Sequence, residues 1–446
     1  MQNRKARRVT MKETDLIVEG GFVLPMDKKD SVLKDTSVVV KDGVIVDLLP
    51  VQKANAIYSA KERAGGSDYL VMPGFINTHT HAAMVAFRGL ADDLPLMKWL
   101  KDYIWPRESR FVTADFIRKS LPLALAEMIA SGITAFADMY FFQDVAAEIV
   151  REVGLRAVLG EGLADFPTPS FKNPEDGLRF SRKFIEDHKK DPLIIPALAP
   201  HAPYSCSPDL LRKSYELSRE YNVPYLIHVA ETKDEIEELR SKRGLTPIKY
   251  LDELGVLWER TVAAHMIWLG EDEFEIVKKR KVGVSHNPTS NLKLASGIAP
   301  VPEYLKLGVK IGLGTDGTAS NNDLDFTDEM HLVALIHKVH RGDPTVVKAA
   351  EVVYMATRGG AEVLGISDTV GSLEKGKSAD IIVIDLNRPH LQPLYEPFSH
   401  LVYTLKSSDI THTIVRGRIL YKKGSFRTLD IEKALFDMRE LQKKLR

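Results

Sequence analysis

From Val71 to about Gly365 the chain alternates short apolar segments with amphipathic stretches, and this alternation constrains the fold more than any other feature. Eight segments read as strands: 71–76, 133–138, 156–162, 193–199, 223–228, 261–265, 282–285 and 309–315. Helical stretches fall between them, for example 114–130, 143–153, 207–221 and 271–279. Strands with such continuous apolar character need cover on both faces, which is the condition of a parallel sheet flanked by helices. Eight strand–helix units over roughly 290 residues fit an α/β (β/α)8 TIM-like barrel better than an open doubly wound sheet. No G-x-G-x-x-G follows the first strand, which weighs against a dinucleotide-binding fold.

The two ends have a different texture. Leu16-Ile17-Val18, Ser37-Val38-Val39-Val40 and Val44-Ile45-Val46 are β-branched runs, and Asp42-Gly43 suits a tight hairpin turn between the last two. Asp380 to Ile384 reads as a strand, and Thr413-Ile414-Val415 and Ile419-Leu420-Tyr421 bracket a turn at Arg416-Gly417. We therefore expect a small composite β-sandwich built from 11–70 and 368–446, closed by a polar helix over 430–446, around a barrel at 71–367. Residues 1–10 are basic and lack an apolar core, so they read as a disordered extension rather than a secretory signal, with Met11 the expected natural start.

Composition narrows the function classes. Lys+Arg and Asp+Glu balance at 61 each, so the chain has no global field for nucleic acid or an anionic membrane. No apolar run approaches the roughly 20 residues of a membrane helix. A single cysteine, Cys206, excludes an intramolecular disulfide and a cysteine-built zinc site, and fits a reducing cytoplasm.

Chemistry gathers where barrel strands end, the place where such folds carry their active groups. The first strand runs into His79-Thr80-His81, the fifth ends at His228, the sixth at His265, and the eighth runs into Thr315-Asp316-Gly317. Residues i and i+2 of a strand point the same way, so His79 and His81 offer two imidazoles to one ion. With His228 and Asp316 they form a set suited to Zn²⁺, with Fe²⁺ as the alternative, and leave a position for water. Among 13 histidines chance alone gives about 0.4 H-x-H pairs, so the motif is weak by itself. Four strand ends carrying His, His, His and Asp are much harder to obtain by chance. Glu231, three residues past His228, falls where a proton shuttle would stand. No lysine occurs between Leu193 and Ala199, so the fourth strand supplies no lysine to bridge a metal pair, and one ion is expected.

Four segments carry a family resemblance: Val-Met-Pro-Gly-Phe-Ile-Asn-Thr-His-Thr-His (71–81), His-Val-Ala-Glu (228–231), Ser-His-Asn-Pro-Thr-Ser-Asn-Leu-Lys-Leu (285–294) and Gly-Thr-Asp-Gly-Thr-Ala-Ser-Asn-Asn (314–322). They resemble the amidohydrolase superfamily, and within it the 5′-methylthioadenosine/S-adenosylhomocysteine deaminases, over about residues 15–430. The resemblance implies metal ligands at His79, His81, His228 and Asp316, a proton-transfer acid at Glu231, and a water-binding residue at His265. It also implies that Glu108 binds the ribose hydroxyls, that His201 contacts substrate, and that Trp99 and Ser320 line the purine. Of two arginines that relatives direct at a homocysteine carboxylate, the first position holds Glu161 here and Arg179 matches the second.

The implied reaction is hydrolytic deamination of an adenine nucleoside (5′-methylthioadenosine, S-adenosylhomocysteine or adenosine) to the inosine analogue and ammonia. Asp316 and His265 would manage the proton of water, and Glu231 would protonate the adjacent ring nitrogen. The resemblance allows a homo-oligomer. Two rivals remain. A triazine or guanine-type hydrolase would use the same ion, but Glu108 is useless to a free base. A metal-free scaffold relative would have lost ligands that this chain keeps.

Overall fold

A computed structural model describes residues 11–445; the expectation for 1–10 lies outside the described residues. Four strands form first: β1 (Lys12–Val23), β2 (Leu33–Lys41), β3 (Val44–Pro50) and β4 (Tyr58–Pro73). Eight follow through the middle: β5 (Phe75–Thr80), β6 (Ile133–Tyr140), β7 (Arg156–Leu163), β8 (Ile194–Pro200), β9 (Tyr225–Val229), β10 (Thr261–His265), β11 (Gly283–His286) and β12 (Ile311–Leu313). The last four are β13 (Ile381–Asp385), β14 (Ile410–Val415), β15 (Arg418–Lys422) and β16 (Ser425–Phe426).

Strands β5 to β12 lie side by side in chain order, and the register between neighbours is parallel throughout. The gap between β12 and β5 is bridged by two side-chain hydrogen bonds and one between backbones. Thr78 Oγ1 donates to the Leu313 carbonyl at 2.9 Å, the Thr315 N–H to Asn77 Oδ1 at 3.1 Å, and the Asp316 N–H to the His79 carbonyl at 3.0 Å. The result is a (β/α)8 TIM-like barrel, nearly closed, with the metal-ligand types on its closing seam.

The helices form where local signals start and stop them. Thr113 caps 114–130 by accepting the Phe116 N–H at 3.2 Å, and Ser207 caps Pro208–Tyr221 through the Leu210 N–H. A left-handed Asn222 ends the second of these, as a C-terminal cap residue should.

The remaining eight strands make one sheet in the order β16-β15-β14-β13-β4-β1-β2-β3, drawn from both ends of the chain. It folds back so that β3 reaches the segment before β13, with the Ile45 N–H on the Lys377 carbonyl at 2.9 Å and a bridge between Val44 and Ser378. Val18, Val38, Ile45, Val71, Ile381 and Ile414 pack in the core this fold encloses. Arg156 at the start of β7 ties the barrel to this sheet. Its guanidinium grips the buried Asp380 carboxylate, with Nε at 2.8 Å. The helix Ile431–Leu445 ends the described chain.

One strand boundary differs from the expectation. Residues 71–76 are not one strand: Val71 to Pro73 finish β4 and pair with β13, while the first barrel strand begins at Phe75. The break falls at Gly74, where a Cβ would lie 2.1 Å from Thr134 Cγ2, so only glycine lets the chain pass from sheet to barrel there. The eighth strand is also shorter than expected, Ile311–Leu313, which leaves Thr315 and Asp316 in the following loop.

Candidate active site

His79 lies inside β5 and His81 just past it, and their rings meet edge-on at 4.8 Å. His228 on β9 comes within 4.8 Å of the His79 ring, and its Nε2 is 3.4 Å from that of His81. Asp316 Oδ1 faces His79 Nε2 at 3.5 Å and His81 Nε2 at 3.3 Å.

The second nitrogens of two of these rings fix the tautomers. His81 Nδ1 is 2.6 Å from the Met139 carbonyl and His228 Nδ1 is 2.7 Å from the His201 carbonyl. A carbonyl only accepts, so each Nδ1 carries the proton and each Nε2 presents a lone pair. Two lone pairs 3.4 Å apart repel unless a cation stands between them. His79 Nε2 is buried with no hydrogen-bond partner at all. Ligands about 2 Å from a tetrahedral ion stand about 3.3 Å apart, close to the 3.3–3.5 Å separations seen here. The donor set therefore fits one divalent ion.

Asp316 is held on every side. Its Oδ2 accepts from Ser290 Oγ at 2.6 Å and Ser320 Oγ at 3.1 Å, and its Oδ1 from the Gly317 N–H at 2.8 Å. Burial alone would raise this carboxyl, but the His79 and His81 imidazoles keep it well below the usual carboxylate range. The backbone pays a conformational cost for the arrangement: Asp316, His265 and Ala230 all adopt positive φ, at 59°, 71° and 53°.

His265 and Glu231 complete the floor. His265 Nδ1 lies 2.8 Å from Asn291 Oδ1, which turns Nε2 toward Glu231 Oε2 at 3.8 Å. His265 also has a nitrogen within 4.8 Å of the ligand atoms of His79 and His228, so it faces the same centre. Glu231 is buried, which raises its carboxyl. Its N–H is gripped by Glu235 Oε2 at 2.8 Å, so the helix that follows locks the loop carrying the acid.

Above this floor opens a cavity of about 290 Å³. Of the residues singled out in the sequence, His81, Trp99, Glu108, His201, His228, Glu231, His265 and Asp316 all line it. Glu108, on the helix Trp105–Phe111, is buried, which pushes its carboxyl up to about 7, with the Tyr140 hydroxyl beside it. Trp99 Nε1 is buried and unpartnered. His201 Nδ1 is 2.7 Å from Ser205 Oγ, and burial with the neighbouring imidazoles lowers its ring to about 3.

Two expectations need correction. Ser320 does not line the cavity; its hydroxyl is spent on Asp316 and Ser290, the latter at 2.9 Å. Arg179 lies on the outer face of the helix Pro174–His188, 73% exposed, and pairs with Asp176 one turn earlier. Glu161 also misses the cavity. It points outward from β7 and accepts the Gln143 N–H at 3.0 Å, and burial lifts it to about 8. Cys206 is inert, buried with its thiol pushed up to about 12.

The sequence reading passed over Ser290, Asn291 and Glu235, which hold Asp316, His265 and Glu231. Ser290 and Asn291 belong to the 285–294 motif, so their proximity to function was visible although their contacts were not. Ser290→Ala is expected to weaken metal binding about 10–100-fold, read by competition with a zinc chelator, because a freed ligand carboxylate loses its orientation.

A nearly closed α/β barrel with three imidazoles and a carboxylate converging on its seam defines a metal-dependent hydrolase. The model of the amidohydrolase family matches residues 70–420, and the chain belongs to that family. A 5-methylthioadenosine/S-adenosylhomocysteine deaminase of Thermodesulfovibrio yellowstonii is 45% identical over 426 residues, covering 94% of this chain and 97% of the relative. A 5′-deoxyadenosine deaminase of Methanopyrus kandleri is 42% identical over 433 residues, covering 96% and 99%. The solved adenosine deaminase of Xanthomonas campestris with bound zinc superposes with a TM-score of 0.96 at 35% identity, covering 98% of this chain and all of that one.

Proposed function

We propose that the protein deaminates adenine nucleosides by hydrolysis, exchanging the exocyclic amino group for oxygen from water and releasing ammonia. The observation that carries this reading is one cavity holding both a four-ligand metal floor and, away from it, a buried Glu108 carboxyl. The similar deaminases of nucleosides support it. His79, His81, His228 and Asp316 would hold one zinc, with iron as the alternative. When bound, that ion is the Lewis acid that makes water nucleophilic near neutral pH.

The residues divide the remaining work. Asp316 and His265 take up and hold the proton that water loses, the former oriented by its two serines. Glu231, whose carboxyl is raised by burial, gives a proton to the ring nitrogen beside the amino-bearing carbon as that carbon gains oxygen. The proton held at Asp316 and His265 returns to the amino nitrogen as the C–N bond breaks, and the new hydroxyl gives its own proton back to Glu231, so ammonia leaves and the ring becomes the lactam. Glu108 accepts from the ribose hydroxyls, Trp99 meets the purine and His201 contacts the substrate; all three line one cavity.

The same reading divides the chain into a barrel, drawn at 71–367 from the sequence and begun at Phe75 in the structure, and a small domain from 11–70 and 368–446; the small domain has a core of its own at Val18, Val38, Ile45 and Ile381, and a larger core runs through both parts. Its substrate is a small molecule. Among the described residues no helix is long and apolar enough to cross a membrane. A cytoplasmic home is supported by the single free cysteine, an absence of nucleic-acid partners by the charge balance; a homo-oligomer is part of the proposal.

With zinc-loaded protein, 5′-deoxyadenosine is expected to lose its adenine absorbance and yield one equivalent of ammonia. Turnover of free adenine or guanine in preference to any nucleoside would contradict the assignment of Glu108.

A further inference from the structure

We propose that Glu329, on the helix Phe326–Arg341, is a positioning residue for the metal site, holding in register the two serines that orient Asp316. This rests on the one-metal reading of the site given above.

Glu329 does not line the cavity. It is buried, and burial pushes its carboxyl up to about 8. Both of its oxygens are used. Oε2 accepts the Thr289 N–H at 3.3 Å, and Oε1 accepts from Asn321 Nδ2 at 2.6 Å. Thr289 lies in the segment after β11 and Asn321 in the one after β12. Thr289 directly precedes Ser290, and Asn321 directly follows Ser320. One carboxyl therefore spans the two segments where each presents a hydroxyl to Asp316 Oδ2. Those hydroxyls also meet each other, at 2.9 Å.

The surroundings fit a brace. Asn321 Nδ2 also donates to the Thr315 carbonyl at 2.7 Å, beside the ligand itself. The helix bearing Glu329 is fastened again about two turns further along. There His337 Nε2 lies 3.3 Å from Nε2 of His286, at the end of β11. Asp316 needs such support because its positive φ of 59° is a strained state that persists only where the surroundings impose it.

A buried carboxyl loses its hydration, which an apolar side chain at the same place would avoid. That apolar side chain would leave the Thr289 N–H and one Asn321 amide hydrogen unpaired, and the two segments untied.

The test reads zinc affinity by competition with a chelator, and the unfolding temperature of the metal-free protein beside it. Glu329→Gln keeps the shape but sets an amide donor against one of the two donors, and is expected to weaken zinc binding about tenfold. In a Ser290→Ala, Ser320→Ala background the same change should alter the affinity less than about twofold, because the groups it acts through are gone. Asn321→Ala is the second variant, with a similar loss expected, and it decides the matter if Glu329→Gln does not fold. A lower unfolding temperature with parental zinc affinity assigns Glu329 a merely structural role and overturns the inference. An undiminished loss in the background without the two serines overturns it as well. A parent protein that binds no zinc overturns the one-metal reading, and the inference with it.

Discussion

Glu231→Gln is expected to lower kcat by about 10³- to 10⁴-fold while the protein keeps its metal and its fold. The substitution keeps the shape of a side chain that is buried and faces His265 Nε2 at 3.8 Å. It removes only the proton that must reach the ring nitrogen. The locking contact from Glu235 goes to the Glu231 backbone N–H, so the loop holds its place in the variant. Substrate binding should then change little, and KM should stay within a few-fold of the parent. Metal content by atomic absorption and a substrate KM distinguish this outcome from collapse of the site. A metal-replete Gln variant with near-normal kcat would remove Glu231 from proton transfer.

Stripping the ion is expected to abolish turnover, by at least about a thousandfold, with full recovery on adding one equivalent of zinc. His228→Ala should show the same loss without recovery. The reason lies in the facing imidazoles. The Nε2 atoms of His81 and His228 face each other at 3.4 Å, and a cation is what makes that pairing favourable. With His228 gone, the ion keeps His79, His81 and Asp316 but loses the ligand contributed from β9. Zinc titration followed by ammonia release reads both outcomes. Recovery that needs two equivalents would indicate a second ion, which β8, free of lysine, gives no reason to expect.

The metal floor was legible in the sequence because each ligand type stands at or just past a strand end, where the barrel has to gather it. His79, His81, His228, His265 and Asp316 meet for that reason, although they span more than half the chain. Finer placement depends on which face a residue takes. In β7, Val158 packs inside the barrel with Ala137, Ala197 and Leu226 while Leu159 packs on the outer side, so Glu161 takes the outer face as well, which motif matching alone does not reveal. Arg179 could satisfy its charge with Asp176 three residues before it, a local choice that motif spacing does not reveal. Ser320 is four residues from Asp316 in a tight loop, and its hydroxyl found the nearer partner. The apolar run across Pro73-Gly74 looked continuous because both of its halves are buried, in different sheets.

These corrections take Arg179 and Ser320 out of the cavity wall. They leave the reaction at the metal end unchanged, and that reaction is open to one direct measurement. Zinc-loaded protein would be incubated with 5′-deoxyadenosine in water enriched in oxygen-18, and the nucleoside product weighed by mass spectrometry alongside an ammonia assay. The account predicts a 5′-deoxyinosine carrying a single oxygen-18 on the ring and one ammonia per product. An unchanged nucleoside under these conditions, or cleavage of the base from the sugar, would contradict it.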